Sequence, residues 1–426
     1  MGEGGNVKGP EITECLNQHR IAAALIAVGF VLYIYVYSHF NGDLDNTDYL
    51  ESYQYKHHNV LSEKAGSNIP GENTEKMKNA SIHPINRTSD LTGIEKKDKV
   101  IFFWNNFFEH RDWAQGLGRK PFLDCEHKNC ITSIDNKKFI ESDAMLCHMR
   151  SPGCTIDLLP KERKPHQYWI YFGQESQQNS LSGDKLKPLN GIFNLTMTFK
   201  LDSDLTIAYN GTDGIIEKVK STYYKFYQGN KSSIAWVASN CWTSAAVQGR
   251  TAYIAQLGKF MHVKRYGKCT GHIPCGKDCF VKLAKEHKFY FAAENSLCKD
   301  YLTEKPWIAL NVGMIPVVYG LGNFSSLLPP HSYIDVRDFK SPRLLAEYLE
   351  RVGSDETLYN SYFKWRELYR TLEPSGLDPN YLCKICAFLN QPHAKKSIIN
   401  DLDQRWSAAI DCVDPKTFNQ KIMQQG

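Results

Sequence analysis

The chain has 426 residues, 42% of them hydrophobic and 23% charged, with a net charge of +5. At roughly 150 residues per domain, two or three domains are expected, and the composition excludes a wholly disordered or collagen-like protein. The charge is mild and dispersed, with no basic stripe interleaved with aromatics, so no nucleic-acid partner is expected.

Residues 1–20 form a short tail. Residues 21–40 (IAAALIAVGFVLYIYVYSHF) contain no Asp, Glu, Lys or Arg. As a helix, a run of that length spans about 30 Å, the hydrocarbon thickness of a bilayer. It exits through Tyr33, Tyr35, Tyr37 and Phe40, which suit a membrane interface. It is longer than the apolar run of a cleaved signal peptide and lacks the small-residue exit. A retained signal-anchor is therefore predicted. Lys8 and Arg20 precede the span, and no Lys or Arg follows before Lys56. The positive-inside rule then leaves the tail in the cytosol and the bulk of the chain in a lumen.

Of 13 cysteines only Cys15 precedes the span, which leaves an even number beyond it, compatible with disulfides in an oxidising compartment. All N-x-[S/T] sequons also follow the span, beginning at Asn79, Asn86, Asn194, Asn210, Asn230 and Asn323. Residues 41–97 are polar, with Gly66, Pro70, Gly71 and Pro84 and no sustained apolar periodicity, and read as a stem.

Globular character begins at residues 99–104 (KVIFFW), an apolar run suited to a buried strand. Similar runs cover residues 168–172, 234–238, 288–292 and 315–319. Helical stripes lie between some of them: Tyr253, Ile254, Leu257 and Phe260 in one, residues 344–352 in another. Alternating strands and helices predict parallel α/β sheets, with a domain boundary near residues 211–229.

The most informative stretch is residues 289–320, FYFAAENSLCKDYLTEKPWIALNVGMIPVVYG. It reads as strand, polar loop, helix, strand. Thr303 is placed to cap a helix whose first turn holds Glu304, Lys305 and Pro306, and Gly313 suits the exit. Lys305 and a helix N-terminus then sit together at the carboxyl end of a strand, an arrangement fit for a diphosphate.

This stretch resembles the donor-binding signature of the α1,3-fucosyltransferase family: F-E-N-S, D-Y-I-T-E-K, N-A-L-x-x-G and V-P-V-V-x-G. Here it appears as Glu294-Asn-Ser296, Asp300-Tyr-Leu-Thr-Glu-Lys305, Ala309-Leu310 with Gly313, and Ile315-Pro-Val-Val318. Residues 333–339 (YIDVRDF) and 362–366 (YFKWR) are similar to later family motifs. Residues 193–204 (FNLTMTFKLDSD), 235–241 (AWVASNC) with Arg250, and Gln174-Glu-Ser176 are similar to earlier ones. Cys383-Lys-Ile-Cys386 resembles the family's C-terminal C-x-x-C. The resemblance covers about residues 98–390.

The resemblance implies an α/β protein of GT-B type, two Rossmann-like domains facing a cleft, in a type II Golgi membrane protein. The expected layout is a tail (1–20), anchor (21–40), stem (41–97), acceptor-side domain (98–220), donor-binding domain (221–390) and C-terminal extension (391–426). The implied reaction moves L-fucose from GDP-β-L-fucose to a GlcNAc hydroxyl of a glycoprotein or glycolipid glycan, with inversion at the anomeric carbon. GDP-fucose, GlcNAc-containing glycans and the Golgi membrane are the partners implied. No tightly bound cofactor and no essential metal are expected.

Inverting transfer needs a base on the acceptor hydroxyl and a stabiliser on the leaving diphosphate. Glu175, after the strand at 168–172, is the candidate base. Arg250 and Lys305, each opening a helix, are candidates to neutralise the diphosphate, Arg250 through a bidentate fork. Glu304, Tyr301 and Asn295 complete the donor-side candidates. His148 and Arg150 match the acceptor-side H-H-R-[D/E], with arginine leaning towards α1,3 linkage. Two bridges between the pairs Cys125/Cys130 and Cys383/Cys386 are expected, with zinc as the alternative at Cys383 and Cys386. Asp202-Ser-Asp204 is read as structural.

The chain departs from the pattern at Lys200-Leu201, where Arg-Arg is expected, at Gln177, where Pro is expected, and at Ser151, where an acid is expected. Two rival functions remain open at the level of sequence: a core α1,3-fucosyltransferase acting on Asn-linked GlcNAc, and an inactive, lectin-like Golgi protein of the same fold.

Overall fold

The computed structural model describes residues 97–424, apart from 151–153, 208, 210–225, 228–232, 242–243, 270–273, 277, 370–377, 379 and 393–396. The expected tail, anchor and stem, and most of the predicted boundary at 211–229, lie outside the described residues. Among the described residues no helix is long and apolar enough to cross a membrane.

Two parallel sheets carry the fold, so the expected α/β class holds. The first contains β1 (Lys99–Phe103), β2 (Cys130–Ser133), β3 (Ala144–His148), β4 (Tyr168–Gly173), β5 (Leu195–Thr198) and β6 (Leu205–Thr206), in the order β2-β1-β3-β4-β5-β6. The second contains β7 (Ile234–Val237), β8 (Val263–Tyr266), β9 (Phe289–Ala293), β10 (Ile315–Tyr319) and β11 (Ile334–Asp335), in the order β11-β10-β9-β7-β8. All five apolar runs predicted as strands form them. Every residue of β9 and β10 is buried, which is why these segments read as unbroken apolar runs rather than alternating ones.

Among the described residues, helices alternate with strands only around the second sheet: α1 (Ala245–Leu257), α2 (Cys279–Glu286), α3 (Glu304–Val312) and α4 (Pro342–Ser354). Ser341 opens α4 by accepting from the Leu344 amide, with Pro342 in the first turn. Its buried stripe is Leu345, Leu349 and Val352; Leu344, predicted inside, is 45% exposed. Helix α1 begins at Ala245, earlier than its stripe suggested, and Phe260 falls beyond its end.

Around the first sheet the connections are loops and 3-10 turns, among them Gly183–Leu189, which carries an internal Pro188. One face of that sheet is covered instead by α5 (Tyr381–Asn390), whose Tyr381, Leu382, Ile385 and Leu389 pack among Ile101, Phe103, Leu146, Ile170 and Phe172. This corrects the expected 221–390 domain: its last segment belongs to the first sheet. The 391–426 extension is likewise divided. Ile399, Leu402 and Trp406 join the other face of the first sheet, while α6 (Pro415–Ile422) places Phe418 and Ile422 in the core of the second.

Disulfides fasten these returns. Cys125–Cys383 and Cys130–Cys386 tie α5 to the first sheet, as predicted. Cys147–Cys154, Cys241–Cys269, Cys275–Cys279 and Cys298–Cys412 pair the other cysteines that follow the predicted anchor. Cys383 and Cys386 are thus engaged in bridges, which removes the zinc alternative.

Of the sequons, Asn79, Asn86, Asn210 and Asn230 lie outside the described residues. Asn323 is exposed, ahead of a short helical turn. Asn194 is a correction, since it is only 2% exposed and its amide is fully engaged. Its Oδ1 accepts from the Trp169 amide at 2.9 Å and from Arg163, and its Nδ2 donates to the Ser397 carbonyl at 2.7 Å. Asn194 is an internal strut, with no room for a glycan.

Candidate active site

The first sheet presents Arg150 and Glu175 from the carboxyl ends of adjacent strands, β3 and β4. Gly173 allows this approach: a Cβ there would stand 2.3 Å from the Met149 side chain. Arg150 Nη1 donates to Glu175 Oε1 at 3.3 Å. The Glu175 side chain is only 18% exposed. Burial raises its pKa above the usual carboxylate value; the charges of Arg150 and Lys305 oppose this and that of Glu304 adds to it. A carboxylate so placed is an apt proton acceptor near neutral pH.

His148 is placed differently from its prediction. It is 1% exposed and walled in by Phe107, Phe108, Trp113 and Phe172, with ring centroids 4.7 to 6.3 Å away. Burial lowers its pKa to about 3, so it stays neutral. It supports the surface from beneath rather than forming it. Arg150 is the exposed member, its guanidinium 5.3 Å from the centre of the Phe108 ring.

On the second sheet, the loop after β9 turns the chain into α3. Thr303 occupies the N-cap position, but its side chain does not cap the helix. The Glu294 carboxylate accepts from the Thr303 amide at 2.8 Å and from its hydroxyl, and Lys305 Nζ donates to it at 3.0 Å. Glu304 stands 3.5 Å from Lys305. Burial works against the Lys305 charge, but Glu294 and Glu304 outweigh it and raise its pKa, so it is a permanent cation. Gly313 closes α3 with φ +82°, a conformation suited to glycine.

Arg250 is 4% exposed. Its Nη1 donates to the Ala293 carbonyl and its Nη2 to the Asn240 carbonyl, each at 2.8 Å. The fork expected for a diphosphate is therefore engaged with main chain, and Nε is buried without a partner. The residue places a positive charge behind the loops that follow β7 and β9. The Asn295 Oδ1 is also buried and without a partner. Tyr301 is 1% exposed, its hydroxyl held protonated by burial and by the charge of Glu175.

The carboxyl ends of the two sheets are joined at this point. The Ser176 hydroxyl donates to Ser296 Oγ at 2.6 Å, and Asn179 Nδ2 donates to the same oxygen at 3.2 Å. Glu175 thus feels the charges of Lys305 and Glu304, although more than a hundred residues separate them in the chain. Sequence reasoning gave no role to Tyr209, whose hydroxyl donates to the Gln174 carbonyl at 3.1 Å and lies in the field of Glu175, Glu304 and Glu294. It also named Glu294 only as part of a motif; an acid ending an otherwise apolar strand was the signal that could have singled it out. Tyr209 carries no comparable signal.

Asp202 and Asp204 do not converge. Asp204 accepts from the Thr196 amide and hydroxyl at 2.8 Å, while Asp202 faces Lys200 and Lys299. Among the described residues no group of three His, Cys, Asp or Glu is placed to hold a metal ion.

A helix N-terminus with a permanent lysine, whose charge is felt by a carboxylate of raised pKa, is an arrangement suited to an anionic donor and a hydroxyl acceptor. The family models agree with that chemistry: "Fucosyltransferase, N-terminal" matches residues 96–210, and "Glycosyltransferase family 10 (fucosyltransferase) C-term" matches residues 227–406. The chain is similar to the 3-galactosyl-N-acetylglucosaminide 4-alpha-L-fucosyltransferase FUT3 of Bos taurus, with 36% identity over 62% of this chain and 70% of that protein. It is also similar to alpha-(1,3)-fucosyltransferase C of Drosophila melanogaster, with 31% identity over 72% of this chain and 77% of the relative. A crystal structure of an alpha1,3-fucosyltransferase with GDP-fucose aligns over 75% of this chain and 96% of its own, at 15% identity and a TM-score of 0.45. The chain belongs to glycosyltransferase family 10, the fucosyltransferases.

Proposed function

We propose that this fucosyltransferase moves L-fucose from GDP-β-L-fucose to a GlcNAc hydroxyl of glycoprotein or glycolipid glycans, forming an α1,3 linkage with inversion. The observation that carries the reading is that the Ser176–Ser296 hydrogen bond joins the loop of Glu175 to the loop leading into α3, so that Glu175 lies in the field of Lys305. The acceptor oxygen attacks the anomeric carbon of fucose, the bond to the GDP oxygen breaks, and the acceptor proton passes to Glu175. Lys305 and the amides of the α3 N-terminus meet the charge on the leaving diphosphate. Arg250, 4% exposed, contributes at longer range, through the loops it holds. Arg150 stands beside Glu175 on the acceptor side, and its arginine identity supports the α1,3 linkage.

The two sheets, meeting at their carboxyl ends, support a GT-B arrangement with the acceptor on the first and the donor on the second. The test is to incubate the protein with GDP-fucose and a panel of GlcNAc-containing acceptors, N-glycans with an unmodified core included, and to map products by mass spectrometry and NMR. Fucose on O3 of a GlcNAc in an outer chain is expected. Fucose only on the Asn-linked GlcNAc would replace this reading with core modification; donor binding without transfer would replace it with a lectin-like role.

We further propose that the protein is a single-pass type II protein of the Golgi membrane, with residues 41–426 lumenal. The pairing of every cysteine beyond the predicted anchor supports an oxidising compartment. In sealed microsomes, protease should remove only the segment before residue 21; digestion of the catalytic region would exclude this topology.

A further inference from the structure

Two of the positions at which the chain departs from the fucosyltransferase pattern meet on one carboxylate. Gln177 Nε2 donates to Asp411 Oδ2 at 2.8 Å, and Lys200 Nζ donates to the same oxygen at 3.0 Å. Lys200 Nζ also donates to the Arg405 carbonyl at 2.9 Å, with Asp202 at 3.5 Å. Gln177, Lys200 and Asp411 are 1%, 6% and 9% exposed. A proline at 177, as in the family pattern, would have no side-chain donor for Asp411. The departures are therefore matched to one another and to a residue of the C-terminal extension.

Asp411 is itself anchored to the donor-side loop. Its carbonyl accepts from the Lys299 amide at 2.7 Å, the next residue is disulfide-bonded to Cys298, and the Val413 amide donates to the Leu297 carbonyl at 2.8 Å. Gln177 lies two residues beyond Glu175, on the loop that Ser176 joins to Ser296. We propose that Asp411 is a positioning residue for the transfer reaction: through Gln177 and Lys200 it fixes the loop carrying Glu175 against the loop that leads into α3. The bonds are charge-assisted and shielded from water, so they hold a defined geometry. Displacing a reacting group by an ångström lowers a rate by about 10²-fold. The inference rests on Glu175 as the base.

The full chain is tested as the parent, Gln177→Met, Asp411→Asn, Glu175→Gln and Glu175→Gln/Gln177→Met. Rates are counted per GDP-binding molecule, so that misfolded protein does not enter. Gln177→Met and Asp411→Asn should lower kcat by about tenfold to a hundredfold, with GDP affinity and acceptor KM within about twofold of the parent. On top of Glu175→Gln, Gln177→Met should add little, because the base it positions is already gone. Parental kcat in both loop variants overturns the inference, as does an undiminished further loss in the double variant. Parental kcat in Glu175→Gln alone removes the base assignment beneath it, a result distinct from the other two.

Discussion

The role proposed for Glu175 turns on one ionisation. General-base catalysis is typically worth about 10²–10⁴-fold, so Glu175→Gln should lower kcat by that order while GDP affinity stays close to the parent. A well-folded variant that keeps more than about a tenth of parental kcat would exclude the role. Stability should move the other way. A carboxyl whose pKa rises on folding binds its proton more tightly in the native state, so stability falls as pH rises between the unfolded and folded values. At neutral pH the wild type carries that penalty and the Gln variant does not; its melting temperature should be equal or higher. The same shift sets the pH profile. As the proposed base, Glu175 must be ionised to act, so kcat/KM should fall on the acid side with an apparent pKa above the ordinary carboxylate value. The Arg150 charge opposes the shift, and Arg150→Ala should move that limb to still higher pH. A limb that stays put or moves down would contradict the electrostatic coupling.

At the scale of elements, α3 depends on Glu294, an acid supplied from the end of β9. That carboxylate serves the Thr303 amide, the Thr303 hydroxyl and Lys305 while only 1% exposed. Glu294→Gln should therefore destabilise the protein by about 3–5 kcal/mol, the usual effect of breaking a buried ion pair, measured by urea denaturation. A loss below about 1 kcal/mol would show that the pair is incidental. The sequence displayed α3 well: Thr303, Pro306 and Gly313 mark its ends by backbone requirements that depend on few neighbours. It displayed the capping chemistry badly, because Thr303 looks like its own cap until the fold brings Glu294 across nine positions. Strands β9 and β10 were legible because burial on both faces leaves an unbroken apolar run. Strands β3 and β5 were not singled out: both are fully buried, but His148 in AMLCH and the two threonines of LTMT are residues common outside strands. Asn194 shows the limit of motif reading, since a sequon says nothing of whether its amide is already bonded.

At the scale of the molecule, α5 completes the first sheet although it follows every strand of the second. No periodicity signals that return; the cysteine pattern did, through the family it resembles. The bridges Cys125–Cys383 and Cys130–Cys386 close loops with sequence separations of 258 and 256. Each restricts the unfolded chain by nominally about 5 kcal/mol in the chain-entropy model. Replacing Cys125 and Cys383 together by serine should lower the melting temperature and speed amide exchange in residues 381–390 and in β1 ahead of β9. Uniform exchange across both sheets would argue against α5 as the element released. The return also imposes an order on biosynthesis. As the chain is made from its N-terminus, roughly 175 residues separate the last strand of the first sheet from the helix that covers it. At about 5–20 residues per second, that face waits about 10–35 s for its cover. During that interval Cys125 and Cys130 lack their partners, Cys383 and Cys386, which arrive only with α5. Correct pairing of Cys125 and Cys130 is therefore expected only after residues 381–390 have been made.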